Sequence, residues 1–133
     1  MSLEYAQKTL ATQPFSVLLG ARVVAFGDGA ATIELDMRDD LRQQNGYLHG
    51  GVLAFAADAT LTFAAGTVLG ASLLTAGFRI DYMRPALGRT LRAEANVVQS
   101  SASRATCRCE LYCVDGSTTE LCALAQGTVV LTR

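Results

Sequence analysis

Hydrophobic and polar positions divide the chain into one short helix, a long apolar helix and a series of strands. Residues 3–12 (LEYAQKTLAT) predict a helix that stops before Pro14, because the residue preceding proline is pushed out of the helical region. Phe15–Phe26 is a long apolar stretch with β-branched Val23 and Val24 and reads as strand. Gly27-Asp28-Gly29 supplies a turn, and Ala31–Met37 then alternates Ile33, Leu35 and Met37 with Thr32, Glu34 and Asp36, so a hairpin is predicted. Arg38–Leu48 is polar, contains Asn45-Gly46, and reads as a loop leading to a helix that starts near Gly50 and runs to about Thr67. Apolar residues surround that helix on every face, which predicts a buried element with a sheet around it. Leu73–Met83, Thr90–Gln99, Arg104–Val114 and Glu120–Thr132 supply further strands, with an Asp115-Gly116 turn before the last. The class is α+β: a long central helix wrapped by five to six antiparallel strands, in one domain spanning residues 1–133.

Composition narrows the possible partners. With 133 residues and 50% hydrophobic content the chain can bury one real core. Its net charge of −1 provides no global basic field to attract nucleic acid or an anionic membrane, so neither is expected as a partner. Arg84, Arg89 and Arg92 nevertheless crowd together, which suits bidentate phosphate contacts as well as exposed strand edges. The first ten residues lack the basic start and apolar run of a secretory signal, so Cys107, Cys109, Cys113 and Cys122 are expected to be reduced and the protein cytoplasmic. Cys107-x-Cys109 without a second Cys/His cluster is not zinc spacing, and no metal or other cofactor is expected.

The segment from Gly50 to Phe78 carries one ionisable side chain, Asp58, nine positions after the only histidine, His49. Its length invites a membrane-spanning reading. Its Ala, Thr and Gly content, the breaks at Gly66 and Gly70, and Asp58 itself argue against that, since a central carboxylate costs ~2.5–3.5 kcal/mol in a bilayer. A carboxylate in such surroundings must be paired, desolvated or used.

Gln43-x-x-Gly46-x-x-His49-Gly50-Gly51, Asp58, and a later Tyr82-Met83-Arg84-Pro85 together resemble the hotdog-fold acyl-CoA thioesterases, over roughly residues 15–131. The phenylacetate-pathway and 4-hydroxybenzoyl-CoA branches are the most similar. The resemblance implies hydrolysis of a coenzyme A thioester by a homodimer whose strands join into one sheet, often as a dimer of dimers. It implies Asp58 as nucleophile or general base, and the Gly50 N–H as the group that polarises the thioester carbonyl. Gln43 would sit near the carbonyl or the attacking water, and Thr75, ten residues before Pro85, would help place that water. Gly51, Asn45, Arg84, Arg89 and Arg92 are candidates for binding substrate. Two departures are visible: Asn45 lies two positions after the family's Asn position, which Gln43 occupies, and the Asp58–Thr75 spacing is one residue short near Gly70.

The residues carry chemistry independently of the resemblance. Free N–H groups in a helix's first turn stabilise an oxyanion with a dipole of favourable sign, although Gly50-Gly51 would also serve a sharp turn into the helix. His49 is expected to donate to a backbone carbonyl and orient the loop rather than act as base. Thr60 and Thr62 read as packing residues, with Thr62 placed to reach Asp58 or its carbonyl one turn back. Tyr47, Phe55, Phe63, Phe78 and Tyr82 are candidates for lining an acyl pocket, and Ala54, Ala56, Ala57 and Ala59 leave room beside the helix for an aryl or medium-chain group. Two other functions compete. A hydratase or dehydratase of acyl thioesters would pair its histidine with an acid in a different motif, and a non-catalytic acyl-CoA sensor would bring a second, DNA-binding region. Two sites shared between chains are expected, because Gly50 and Asp58 stand ~12 Å apart along one helix at 1.5 Å per residue.

Overall fold

The computed structural model describes residues 1–132. The chain order is α1 (Leu3–Ala11), α2 (Pro14–Leu19), β1 (Arg22–Gly27), β2 (Ala30–Asp36), α3 (Gly50–Leu69), β3 (Leu73–Tyr82), β4 (Thr90–Ser100), β5 (Arg104–Asp115) and β6 (Thr118–Leu131). Among the described residues six strands form one antiparallel sheet in the order β1-β2-β4-β5-β6-β3, and α3 packs against all six. The predicted α+β architecture is therefore present, with the long helix lying on the concave face of a single sheet.

The period-2 pattern explains the sheet's center. Leu91, Ala93 and Ala95 of β4 and Cys107, Cys109, Leu111 and Cys113 of β5 point inward and are buried, while Arg92, Glu94 and Arg108 between them face away. Ile33 and Leu35 extend that layer into β2. From α3 it meets Leu53, Ala56, Ala57, Leu61, Ala64 and Ala65. Each fully buried leucine here contributes roughly 1.5–3 kcal/mol, and the alanines let the helix approach the sheet closely.

One expectation needs correction. Phe15–Phe26 is not one strand: its first part is the helix α2, and pairing begins only at Arg22. Pro14 occupies the first turn of α2, where a missing N–H removes no helical hydrogen bond. Gly20 ends the helix at φ 74°, a left-handed conformation suited to glycine. Proline thus starts a second helix as well as following the first. Phe15, Val17 and Leu18 remain more than half exposed, which an inward-facing strand would not allow.

The sheet wraps α3 from one side, as a single sheet can. Half of its apolar window is buried within the chain, and Ala54, Phe55, Asp58, Ala59, Thr62 and Phe63 form a half-buried stripe on the other side. The helix is long and apolar enough to cross a membrane by composition, yet its inner face is already packed on the sheet. Beside the open stripe lies β3, an edge strand paired only with β6, in which Leu74 is 63% exposed.

Candidate active site

The loop before α3 is built from its own polar groups. Gln43 N–H donates to Tyr47 O at 2.8 Å, Gly46 N–H donates to Gln43 O at 3.0 Å, and the Asn45 N–H donates to Gln43 Oε1 at 2.5 Å. Asn45 itself is exposed, and the turn fixes the Gln43 side chain at the mouth of the helix.

His49 is the N-cap of α3. Its Nδ1 accepts the Gly51 N–H at 2.9 Å, and its own N–H donates to Leu41 O at 2.9 Å. The expectation that the ring donates to a carbonyl is corrected here: the ring accepts, which requires an unprotonated Nδ1 and leaves any proton on Nε2. The structural role stands, since this bond satisfies one of the helix's orphan donors. It also commits Gly51, leaving the Gly50 N–H as the unclaimed donor at this helix end among the described residues.

Gly50 lines a cavity of ≈400 Å³ with Gln43, Tyr47, Tyr82, Arg84 and Pro85. The Tyr82 hydroxyl donates to Gly50 O at 3.0 Å, tying the end of β3 to the first turn of α3. A Cβ at Gly50 would stand 3.5 Å from the Tyr82 ring, so glycine widens the approach to its own N–H. Sequence reasoning did not find this tyrosine's hydrogen bond, because nothing in the pattern places the end of β3 against residue 50.

Asp58 lies two turns further along α3, outside that cavity's wall. The Thr75 hydroxyl, brought in by β3, donates to Asp58 Oδ1 at 2.5 Å, and Thr62 Oγ1 lies 2.9 Å from Thr75 Oγ1. Thr62 Oγ1 is also 2.9 Å from the Asp58 carbonyl oxygen, its acceptor one turn back. Thr75 orients the carboxylate through Oδ1, and the single Thr62 hydroxyl proton serves either the Asp58 carbonyl oxygen or Thr75 Oγ1. Asp58 Oδ2 has no hydrogen-bond partner among the described residues, and the residue itself is half-buried. Thr75 thus reaches the acid despite the short spacing, and Thr62 joins the cluster, which its position four residues after Asp58 had allowed.

The arginines separate. Arg84 lies at the Gly50 cavity and pairs with Glu120 at 3.1 Å. Arg89 sits in the turn before β4, beside Arg42 and Met37. Arg92 faces the outer side of the sheet, 2.8 Å from Glu94 and stacked 5.6 Å above the Tyr112 ring centroid. The aromatic candidates separate too. Tyr47 and Tyr82 line the Gly50 cavity, Phe63 lines another cavity beyond Thr62, Phe55 packs edge-on against Phe15, and Phe78 packs on the core.

The four cysteines are free and buried on β5 and β6. Burial pushes the Cys107 thiol up to about 11 and Cys109 to about 12, making both poor nucleophiles at neutral pH. Among the described residues no group of three or more His, Cys, Asp or Glu side chains is placed to hold a metal ion.

A family model of the thioesterase superfamily matches residues 45–120, which include the Gly50 and Asp58 clusters. A thioesterase family protein from Silicibacter pomeroyi is 25% identical over 95% of this chain and 96% of its own, with a TM-score of 0.89. A mutant of the phenylacetic acid degradation protein from Thermus thermophilus is 33% identical over 90% of this chain and 99% of its own, with a TM-score of 0.77. A thioesterase from Haemophilus influenzae shares the fold at 18% identity and a TM-score of 0.87. No curated protein matches the sequence. With more than half of its length matched, and with a long helix laid on a six-stranded antiparallel sheet, this chain belongs to the thioesterase superfamily and has the hotdog fold.

Proposed function

We propose that the protein hydrolyses an acyl-CoA thioester, with Asp58 as the reacting carboxylate and the Gly50 N–H as the oxyanion donor. The observation that carries this reading is Asp58 itself: a lone carboxylate on an apolar helix, oriented through Oδ1 by Thr75, with Oδ2 left free. A buried polar anchor would spend both oxygens on the protein. In the general-base route, Oδ2 takes a proton from water, the hydroxide adds to the thioester carbon, and the carbonyl electrons move onto oxygen. The oxyanion's electrons then re-form the carbonyl as the C–S bond breaks, and the coenzyme A thiolate leaves with the proton that Asp58 Oδ2 had taken, which restores the carboxylate. In the nucleophilic route the same Oδ2 adds to the carbon, collapse of the adduct breaks the C–S bond and expels the coenzyme A thiolate, and water then cleaves the Asp58–acyl anhydride to the free acid and restores the carboxylate. Either way the developing oxyanion needs a preorganised donor, and the first N–H of α3 adds the positive end of the helix dipole.

That donor and Asp58 stand ~12 Å apart along one helix, too far to act on one carbonyl. We infer that two chains pack α3 antiparallel about a two-fold axis, so that Gly50 of one meets Asp58 of the other. The open stripe on α3 and the exposed edge of β3 support this, since pairing would bury both at once. Gln43 and Arg84, on the wall beside Gly50, would then face the carbonyl and the coenzyme A phosphates.

The test is Asp58→Asn. The amide oxygen can still accept the Thr75 hydroxyl, so the fold should persist while kcat for an acyl-CoA panel falls ~10²–10⁴-fold. A folded variant that keeps more than about a tenth of wild-type kcat sinks the assignment, being far short of the loss usual for a positioned acid or base.

A further inference from the structure

Cys113 and Cys122 form a thiol pair that hydrolysis at Asp58 does not use. The register of β5 and β6 slips beside them: Leu111 faces Ala123 and Tyr112 faces Leu121, so Cys122 is the extra residue of a β-bulge. With strands ~4.8 Å apart and a rise of ~3.4 Å per residue, that offset puts the two Cα atoms roughly 6–7 Å apart, within the reach of a disulfide. Both thiols are free, and their side chains meet in a hydrogen bond. Cys122 is fully buried, whereas Cys113 keeps 5% of its surface exposed, an opening that suits a small oxidant.

Their surroundings give the two sulfurs different parts. A hydrogen bond from the Cys122 thiol lowers the Cys113 thiol below its ordinary range against the cost of burial. The Leu87 N–H and the Arg84 guanidinium add to that effect, and the Glu120 carboxylate opposes it. The same bond and burial hold Cys122 above its ordinary range, so the shared proton stays on Cys122 and Cys113 is the nucleophile. Cys107 and Cys109 are raised by burial and remain inert.

The pair also holds one wall of the Gly50 cavity from behind. Cys122 O accepts the Met83 N–H at 2.8 Å and the Arg84 N–H at 3.2 Å. Residues 83–86 line that cavity, and Ala86 O in turn accepts the Leu48 N–H at 3.0 Å, one residue before His49.

We propose that Cys113 and Cys122 are a dithiol oxidised by a hydroperoxide, and that their disulfide loosens the 83–86 wall of the Gly50 cavity. The Cys113 thiolate attacks one peroxide oxygen, the O–O bond breaks, and the departing hydroxide takes a proton from solvent. Cys122 then attacks the sulfenic sulfur of Cys113; the S–S bond forms, the S–O bond breaks, and the leaving hydroxide takes the Cys122 proton. Two thiols have lost two electrons, and the peroxide has become two waters or, from an organic hydroperoxide, an alcohol and water. Closing a thiol contact to a bond of about 2 Å draws Cys122 toward β5 and its carbonyl away from the two N–H groups it accepts. An external dithiol reverses the step by exchange.

The test uses the full chain, hydrogen peroxide and no thioester, so its result is separate from that of the hydrolase reading. After brief oxidation and alkylation, peptide mapping should find Cys113 linked to Cys122 and the link gone after dithiothreitol, with Cys107 and Cys109 still thiols. The Met83 and Arg84 amides should exchange hydrogen roughly tenfold faster in the oxidised protein and return on reduction. In Cys122→Ala the reaction should stop at a Cys113 sulfenic acid captured by dimedone. Wild type alone carries the test if that variant does not fold. Overoxidation of Cys113 with no link to Cys122, links that include Cys107 or Cys109, or a Cys113–Cys122 link that leaves the Met83 and Arg84 amides unchanged each overturns the proposal.

Discussion

Replacing Gly50 with proline would delete one N–H and leave the rest of the helix entry usable. Gly50 is the first residue of α3, where a backbone N–H has no acceptor inside the helix, and no described residue accepts it. Proline is favoured at that position because its fixed φ suits the first turn. It confines the preceding residue to extended backbone, and His49 already lies at φ −62°, ψ 136°. The new Cβ would sit 3.5 Å from the Tyr82 ring, within ordinary contact distance. The His49–Gly51 cap uses a different N–H. Stability should therefore hold or rise by ~0.4–1 kcal/mol through the stiffer unfolded chain, a Tm change of roughly 1–5 °C at this size. Catalysis should behave differently. Losing one oxyanion donor lowers kcat by ~10²–10³, equivalent to about 2.7–4 kcal/mol of transition-state stabilisation. The assay is release of the coenzyme A thiol, with Gly50→Ala as the control that adds a Cβ and keeps the N–H. A proline variant that melts at or above wild type with kcat within threefold of it refutes the oxyanion role. Equal losses in the alanine and proline variants would assign the effect to the added carbon.

Three further outcomes follow from the same geometry. Refolding equal amounts of Asp58→Asn and Gly50→Pro chains together should give half hybrid dimers, each with one intact site, and hence about a quarter of wild-type activity; purified hybrids as inactive as their parents would exclude sites shared between chains. Arg84→Ala should raise KM for an acyl-CoA far more than for the matching acyl-pantetheine, whereas Arg92→Ala should move both alike, because Arg92 is engaged with Glu94 and Tyr112 on the outer face. Burial holds the Cys109 thiol at about 12 against an ordinary 9, so the stability this protonated thiol provides is intact below pH 9 and is lost as pH rises from 9 toward 12, by up to ~1.4 kcal/mol per pH unit. Cys109→Ala should flatten that alkaline loss in urea midpoints, and an unchanged slope would refute it.

The strands with clean alternation were legible in the sequence because one face of each is core: β2 and β4 lie where period two placed them. Phe15–Phe26 misled because an apolar run bears no periodicity that separates helix from strand. What decides it is Pro14 at a helix start and Gly20 at a helix stop, two local backbone effects stronger than the β-propensity of Val17, while Val23 and Val24 beyond them do lie in β1. The all-apolar surface of α3 was read correctly as a surface that must be covered. One sheet can cover only half of a helix, however, and the pattern does not say which half the sheet leaves open.

The site divides along the same line. Asp58, His49 and Gly50 stand out in one dimension because each is scarce or misplaced in its surroundings: the only charge, the only imidazole, and glycine where a helix begins. The partner Thr75 is legible only by resemblance, since its spacing from Asp58 is irregular. The structure supplies the reason. Thr75 lies next to a β-bulge, the register stepping from Thr75↔Val129 to Gly77↔Thr128, and bulges re-aim the side chains beside them. At that step a Cβ on Gly127 would run into the carbonyl of Gly77 and the backbone of Phe78, so glycine on β6 is what lets β3 lie close enough there. A hydroxyl on an edge strand thus reaches the carboxylate beside an irregularity and a glycine on the neighbouring strand. Its consequence is asymmetric: Thr75 positions the acid within its own chain, while the Gly50 N–H stands ~12 Å away along the same helix and meets an acid only in the dimer proposed above. That asymmetry is why the half-covered helix, a packing defect in the single chain, is the feature from which a two-chain reaction site is argued.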